Sequence, residues 1–322
     1  MSSSGETDSA SKGNILLTTG GSDMTYYLSI DIGGTAIKYG LLTETGTFIE
    51  KHEMATEAYK GGPAILEKVK DLIKQYQEKN PLSGVAISSA GMVDPDKGEI
   101  FYSGPQIPNY AGTSFKSEIE DCFHIPCEIE NDVNCAGLAE AISGNAKDSK
   151  VALCLTIGTG IGGCLLLDNH IFSGVGNSAC EVGYMHLGKG SFQDLASTTA
   201  LIKDVAKRKN ESEESWNGRR IFEEAKKGDQ HCIAAIQQTV DFLGQGLANM
   251  AYVTNPDLIV LGGGIMAQED YLAPLIKKAL KKYLVSSLFE VLDVRFAQHK
   301  NDAGMLGAYY HFCQKQKERT LA

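Results

Sequence analysis

One run of residues, Tyr26 to Thr35 (YYLSIDIGGT), constrains the fold more than any other stretch. An apolar segment climbs to Asp31, breaks at Gly33-Gly34-Thr35 and resumes as a second apolar-rich segment from Ala36 to Leu42. Consecutive glycines permit backbone angles that other residues avoid, so the pattern predicts strand, tight turn, strand. Such a hairpin points its turn N–H groups and the Thr35 hydroxyl into one concavity, which suits phosphate oxygens. Asp31, at the strand end, faces the same space and suits a magnesium ion held through water. The competing reading is an ordinary hairpin with a solvent-facing Asp. Motifs further along the chain decide between them.

The 322 residues suffice for about two domains. A formal charge of −10 argues against nucleic acid or an anionic membrane as the main partner. It does not exclude a nucleotide, because local N–H groups and magnesium override net charge. Eight cysteines occur without a CxxC pair, and Cys122, Cys135, Cys154 and Cys164 lie in apolar surroundings. Buried free thiols in a reducing cytosol follow, hence a cytoplasmic protein. No apolar run reaches the ~20 residues of a membrane-spanning helix. Residues 1–23, rich in Ser, Gly and Thr, read as a tag or disordered leader, with Met24 the natural start.

Periodicity lays out two α/β blocks. The first predicts strands at 26–32, 36–42 and 47–54, a helix at 63–79, a strand at 84–89, a loop over 95–112, a helix at 113–123, a strand at 125–130 and a helix at 132–143. The second predicts strand 151–157, a turn at Gly158-Thr159-Gly160 and strand 161–168, repeating the plan of 26–42 as an internal echo. Helices follow near 196–209, 217–227 and 229–253, then strand 257–262, Gly262-Gly263-Gly264, a helix at 269–284, a strand near 291–296 and a closing helix at 302–318. Lys277, Lys278, Lys281 and Lys282 read as a solvated helix face. The expected division is a small domain, 24–142 with the C-terminal helix 303–322, and a large domain, 143–302.

Three glycine turns, at Asp31–Thr35, Gly158–Gly163 and Gly262–Gly264, each follow an apolar strand. Together they suggest a nucleotide in an interdomain cleft. None is a Walker A loop, since no G-K-[ST] closes them. Gly158 to Gly163 spells GxGxxG but leads into the apolar run Cys164 to Leu167 rather than a helix, which disfavours a dinucleotide. Glu130-Asn131-Asp132 sits between a strand end and a helix start. Asp132 reads either as a helix N-cap or as a base that removes a proton from a substrate hydroxyl, with Asn131 bonding that hydroxyl.

The motifs DIGGT (31–35), SSAGMVDPDKG (88–98), ENDVNCAGLAE (130–140), IGTGIGGC (157–164), GNSACEVGYM (176–185) and VLGGGI (260–265), in that order, resemble those of ROK-family sugar kinases. The resemblance covers essentially all of 25–315. It implies a two-domain, actin-like (ribonuclease H-like) α/β fold, ATP and magnesium as cofactors, a sugar acceptor, and by family habit a homodimer. It implies Asp132 as catalytic base, with Gly91, Asn131 and Glu181 around the sugar. Gly33, Gly34, Thr35 and Lys38 match the first phosphate motif, Thr156, Gly158, Thr159 and Gly160 the second, and Gly263 and Gly264 the adenosine-side turn.

Departures from the family pattern touch the acceptor site. Tyr184 stands where members carry the histidine of a structural zinc site, and His186 to Gln193 contains no cysteine, so no thiolate zinc is expected. Gln193 replaces a sugar-binding glutamate. Gln106 and Tyr110 stand where many members carry Asn and Trp at the pocket mouth. Zinc-less members resembling this chain point to β-glucosides such as cellobiose, or to N-acetylmannosamine. The leading expectation is an ATP-dependent kinase acting at O6 of a hexose or hexose-containing glycoside. A repressor of the same family lacks support, because only about thirty residues precede Asp31 and they carry no helix–turn–helix pattern. A non-catalytic sugar-binding protein is the third reading.

Overall fold

The computed structural model describes residues 25–321. The expected leader, 1–23, lies outside them. The first sheet begins with β1 (Tyr26–Ile32), β2 (Ala36–Thr43) and β3 (Phe48–Ala55), an antiparallel meander. Helix α1 (Gly62–Gln77) crosses over to β4 (Leu82–Ser89), which lies parallel to β1. Its buried positions Ile65, Val69, Leu72, Ile73 and Tyr76 recur at helical spacing and cover the sheet.

Next come the short hairpin β5 (Met92–Asp94) and β6 (Glu99–Tyr102), α2 (Phe115–Phe123), β7 (Cys127–Asn131) and α3 (Asp132–Ser143). The second sheet opens with β8 (Val151–Ile157), β9 (Ile161–Leu167) and the two-residue β10 (His170–Ile171). Helices α4 (Phe192–Ala196), α5 (Thr198–Lys209), α6 (Gly218–Lys226) and α7 (Gln230–Thr254) lead to β11 (Leu258–Gly262). Finally α8 (Glu269–Tyr283), α9 (Ser286–Phe289), β12 (Asp293–Phe296) and α10 (Ala303–Leu321) close the chain.

The two sheets share one topology. Their orders are β3-β2-β1-β4-β7 and β10-β9-β8-β11-β12, each an antiparallel meander extended by two parallel strands. The echo seen in the sequence is therefore a repeated sheet plan. The chain passes from the first sheet to the second between α3 and β8, and returns between β12 and α10.

Helices α3 and α10 fill the space between the sheets. Leu138 and Ala141 of α3 pack on Ala152, Cys154, Cys164 and Leu166 of the second sheet. On its other side α3 meets α10, where the backbones touch: a methyl group on Gly307 would collide with the Cys135 carbonyl. Contact this close excludes any side chain and fixes the spacing of the pair.

Several local expectations change. The segment expected as a loop over 95–112 contains β6, which pairs with β5; two strands this short escape a reading based on periodicity. The helix expected near 196–209 is two helices, because Ser191 caps α4 and Ser197 caps α5, each accepting an N–H three residues on. All eight cysteines are free thiols, but Cys122 is exposed: it shares a face of α2 with the buried Phe115 and Ile119, and at the last turn of the helix that face is no longer covered. The lysines on α8 are exposed, as expected for a solvated face, and Lys282 pairs with Asp241.

Candidate active site

The parallel strands end on one side of each sheet, where open α/β sheets place their ligand crevices. Between the two sets of ends lies a cleft of about 360 Å³. Gly91, Met92, Tyr102, Asn131 and Asp132 line it from the first sheet's side. Thr156, Gly158, Thr159, Gly160, Glu181, Tyr184, Gln193 and Gly263 line it from the second. A neighbouring cavity of about 330 Å³ shares Gly263 and adds Gly264, Ala297, Lys300 and Asn301. A third, of about 610 Å³, shares Thr159, Gly160, Tyr184 and Gln193 with the cleft and runs on to Gln106, Ser197, Thr199 and Lys203.

At the end of β7 the N-cap of α3 is Asn131, not Asp132. Its Oδ1 accepts from the N–H groups of Val133 and Asn134 at 2.9 and 3.1 Å. Its Nδ2 donates to the Gly91 carbonyl at 2.8 Å and to Asp132 Oδ1 at 3.0 Å. The amide expected to meet a substrate hydroxyl thus also shapes the site. Relieved of the cap role, Asp132 faces the cleft from the first turn of the helix. Burial, and after it the Asp31 charge, push its carboxyl up to about 7. Glu181, across the cleft, is raised by desolvation.

Asp31, Gly33, Gly34, Thr35 and Lys38 sit apart from the cleft lining. The Asp31 carboxylate accepts from Ser88 Oγ at 2.7 Å and lies against Gly304 in the first turn of α10, where a side chain has no room. Lys38 is its cross-strand partner. Burial raises the Asp31 carboxyl against the lowering effects of Ser88 and Lys38. A lone carboxylate of this kind suits magnesium, which keeps most of its water and relies on substrate phosphates. The turn at 33–35 is held by Gly33 N–H to the Ala36 carbonyl and by the Thr56 hydroxyl on the Gly33 carbonyl, with Gly34 and Thr35 exposed at its tip. Gly263 has φ 105° and its Cα faces the Ile157 carbonyl, so the turn after β11 admits no side chain there.

The ROK family pattern matches residues 27–315. An uncharacterized protein of Clostridium perfringens is 47% identical over 289 residues, spanning 90% of this chain and 98% of its own. A beta-glucoside kinase of Listeria monocytogenes is 32% identical over 296 residues, 89% of this chain and 97% of that one. Among solved structures, a ROK family protein from Streptococcus pneumoniae in complex with sucrose superposes with a TM-score of 0.79 at 30% identity, over 91% of this chain and 99% of that one. This chain belongs to the ROK family. Its fold is the two-domain actin-like α/β architecture of ROK kinases, and by kinship it stands among that family's ATP-dependent sugar kinases.

In this ROK protein the stretch from Met185 to Phe192 closes as a tight turn. The Leu187 N–H donates to the Gly190 carbonyl, and the Phe192 N–H to the Met185 carbonyl. Phe192 is fully buried against Gly246 of α7 and anchors the turn. Among the described residues no three His, Cys, Asp or Glu side chains gather in a way that would hold a metal. His186 is exposed. Tyr184 stands half exposed at the cleft mouth, near Tyr102 of the opposite wall. The Gln193 carbonyl oxygen packs against Gly160 and Gly183. Tyr110, expected at the mouth, is instead buried with its hydroxyl on Ser89 Oγ at 2.6 Å; Gln106 does line the third cavity.

Two groups were not singled out from the sequence. Glu130 is buried beside Asp132, accepts from the Asn131 N–H and from Asn134 Nδ2, and is pushed up to about 7 by desolvation. Buried His311 of α10 lies 4.0 Å from it, and its own desolvation lowers it to about 3, so the ring is neutral. Two glutamates, Glu128 and Glu130, on one face of the short buried strand β7 were the available signal for Glu130. Nothing in the sequence marks His311, which meets the site only through packing of α10.

Proposed function

We propose that this protein transfers the terminal phosphoryl group of ATP to a hydroxyl, at O6, of a hexose or hexose-containing glycoside, with Asp132 as general base. The observation that carries this reading is the placement of the Asp132 carboxylate, which is held locally through Oδ1. Asn131 takes over the capping, and the Asp132 carboxylate faces a cleft whose opposite wall is the glycine turn 156–163. In the reaction, Asp132 accepts the hydroxyl proton as the sugar oxygen bonds to phosphorus. The bond to the bridging oxygen breaks and ADP leaves. Bound magnesium would neutralise the triphosphate charge, with Asp31 holding its water shell. Gly33, Gly34, Thr35 and Lys38 on one side, and Thr156, Gly158, Thr159 and Gly160 on the other, are assigned to the phosphates; Gly263 and Gly264 are assigned to adenosine. Gly91, Asn131, Glu181, Tyr184 and Gln193 form the acceptor side. Closure of two lobes, 24–142 with 303–322 and 143–302, excludes water and limits ATP hydrolysis.

The acceptor reading favours a glycoside over a free hexose. The cleft continues past Tyr184 and Gln193 into the larger polar cavity ending at Lys203, which gives space for a second ring. The Streptococcus pneumoniae relative binds a disaccharide and the Listeria relative is a beta-glucoside kinase, in line with this. An ADP-release assay over glucose, cellobiose and N-acetylmannosamine tests the proposal. Cellobiose is expected to give the highest kcat/KM. Asp132→Asn is expected to lose at least ~10²-fold in turnover, the lower end for a missing general base. Near-normal turnover in that variant removes Asp132 from the role, and preference for N-acetylmannosamine overturns the glycoside reading.

A further inference from the structure

Glu140 lies in the last turn of α3 with 2% of its surface exposed. Its carboxylate is satisfied by backbone alone. Oε1 accepts from the N–H groups of Gln298 and His299, each at 2.8 Å. Oε2 accepts from the N–H of Asn145 at 2.9 Å. No cation pairs with it among the described residues. Burying a carboxylate without a counter-ion costs free energy, so three N–H donors aimed at one side chain indicate a placed group rather than incidental packing.

The donors come from two distant pieces of chain. Asn145 belongs to the outward passage between α3 and β8, and Gln298 and His299 to the return passage between β12 and α10. These are the two places where the chain crosses between the sheets. They are clasped to each other as well: Asn145 Nδ2 donates to the Phe296 carbonyl at 2.7 Å, and Arg295 donates to the Asn145 carbonyl at 2.8 Å. Ser143 Oγ bonds both His299 Nε2 and the Tyr310 hydroxyl, each at 2.9 Å. Glu140 is thus the side chain on which both crossings meet, and it sits on the helix whose first residue is Asp132. Eight residues of helix separate the two carboxylates, about 12 Å.

We propose that Glu140 is the pin of the hinge between the two lobes: a positioning residue that holds both crossings to α3, so that closure carries Asp132 into the cleft as a rigid unit. The inference rests on the kinase reading above insofar as closure serves phosphoryl transfer. Coupling of this kind needs a stiff element with two arrangements, and α3, wedged between α10 and the second sheet, supplies the stiffness. Glu140→Gln keeps the shape but turns an NH2 group toward an N–H donor, releasing one crossing while keeping the other. Glu140→Ala releases both.

The test compares wild type, Glu140→Gln and Glu140→Ala by small-angle X-ray scattering, with and without magnesium, the ATP analogue AMPPNP and cellobiose. It also measures the ratio of ATP hydrolysed without acceptor to ATP used in transfer. Asp229→Asn, which removes the charge that pairs with Lys209 at the start of α7, far from the crossings, is the control for plain destabilisation. Wild type is expected to contract on ligand addition. Glu140→Gln is expected to lose most of that contraction, drop at least tenfold in kcat with less than threefold change in KM for ATP, and waste more ATP. Asp229→Asn, even with a lower Tm, is expected to keep the wild-type contraction and partition. Wild-type contraction and partition in Glu140→Gln overturn the pin. Absence of contraction in wild type overturns closure itself, and the pin with it, whereas contraction without any acceptor turnover counts against the kinase reading alone.

Discussion

Asn131 Nδ2 donates to Asp132 Oδ1 at 3.0 Å while Asn131 Oδ1 caps the helix that begins at Asp132. One amide therefore does the local work of the helix start and fixes the orientation of its acidic neighbour. Asn131→Ala removes both functions and is expected to cost about 1 kcal/mol of stability together with a large fall in kcat. Asn131→Asp separates them. Aspartate caps as well as asparagine, but it has no N–H for Gly91 or Asp132. Its expected signature is a Tm near wild type with a kcat lowered at least ~10-fold, the low end for a misplaced general base. Thermal unfolding paired with steady-state kinetics checks this; equal kcat for Asn131→Asp and wild type would mean that the amide donor is irrelevant to turnover.

A base must be ionised to take a proton. Burial, then Asp31, push Asp132 up to about 7, so kcat/KM for the acceptor is expected to rise with pH through the neutral range and level off above it. Glu130 titrates in the same window, pushed up by desolvation to about 7. Glu130→Gln keeps an acceptor for the Asn131 N–H and is expected to retain the rising limb. A flat profile in Glu130→Gln assigns the limb to Glu130 instead.

The same shifts have a sign for stability. Asp132 and Glu130 hold their protons more tightly folded than unfolded, so between the ordinary carboxylate range and about 7 the native state binds more protons. Their contribution is fully present at acid pH and is lost as pH rises through that window. Asp132→Asn removes the penalty while keeping an oxygen for the Val133 N–H. Its Tm is expected to exceed that of wild type at pH 8 and to match it near pH 4. A scanning fluorimetry series over pH reads both limits, and an advantage that grows toward acid pH contradicts the assignment.

Gly307 and Cys135 set the distance between α10 and α3. Gly307→Ala forces a methyl group into the Cys135 carbonyl. Overpacking of this sort typically costs about 1–3 kcal/mol, a Tm loss of several degrees. Because α3 carries Asp132, turnover at low temperature, well below the transition, is expected to fall as well. Chemical denaturation and kinetics at 15 °C distinguish a wedge that moves α3 from a loss of stability alone, which leaves kcat untouched.

The turn at 262–264 offers a separate check on the nucleotide side. Gly263 has φ 105° and faces the Ile157 carbonyl, so Gly263→Ala is strained on both counts. KM for ATP is expected to rise at least tenfold while acceptor binding, measured calorimetrically without nucleotide, stays unchanged. Equal losses on both ligands would place Gly263 outside the adenosine side.

The sequence by itself determined the strands and their turns. Alternating and continuous apolar runs at 26–32, 84–89, 151–157 and 258–262 are local, and so are the glycines that break them. The two matching meanders follow from those runs, and the six ordered motifs carried the family. What the sequence could not decide depends on contacts between distant residues. Asn131 and Asp132 are equally plausible caps by residue type, and only the folded geometry gives the cap to Asn131. Glu130 became a neutral-range titrator because His311 and α10, some 180 positions away (311 against 130), seal it from water. The pairing of β5 with β6, the split of α4 from α5 and the exposure of Cys122 likewise turn on which surfaces meet. Glu140 is the clearest case: the sequence shows a lone glutamate at the end of a motif, and its three N–H partners are assembled only when both crossings fold onto one helix end.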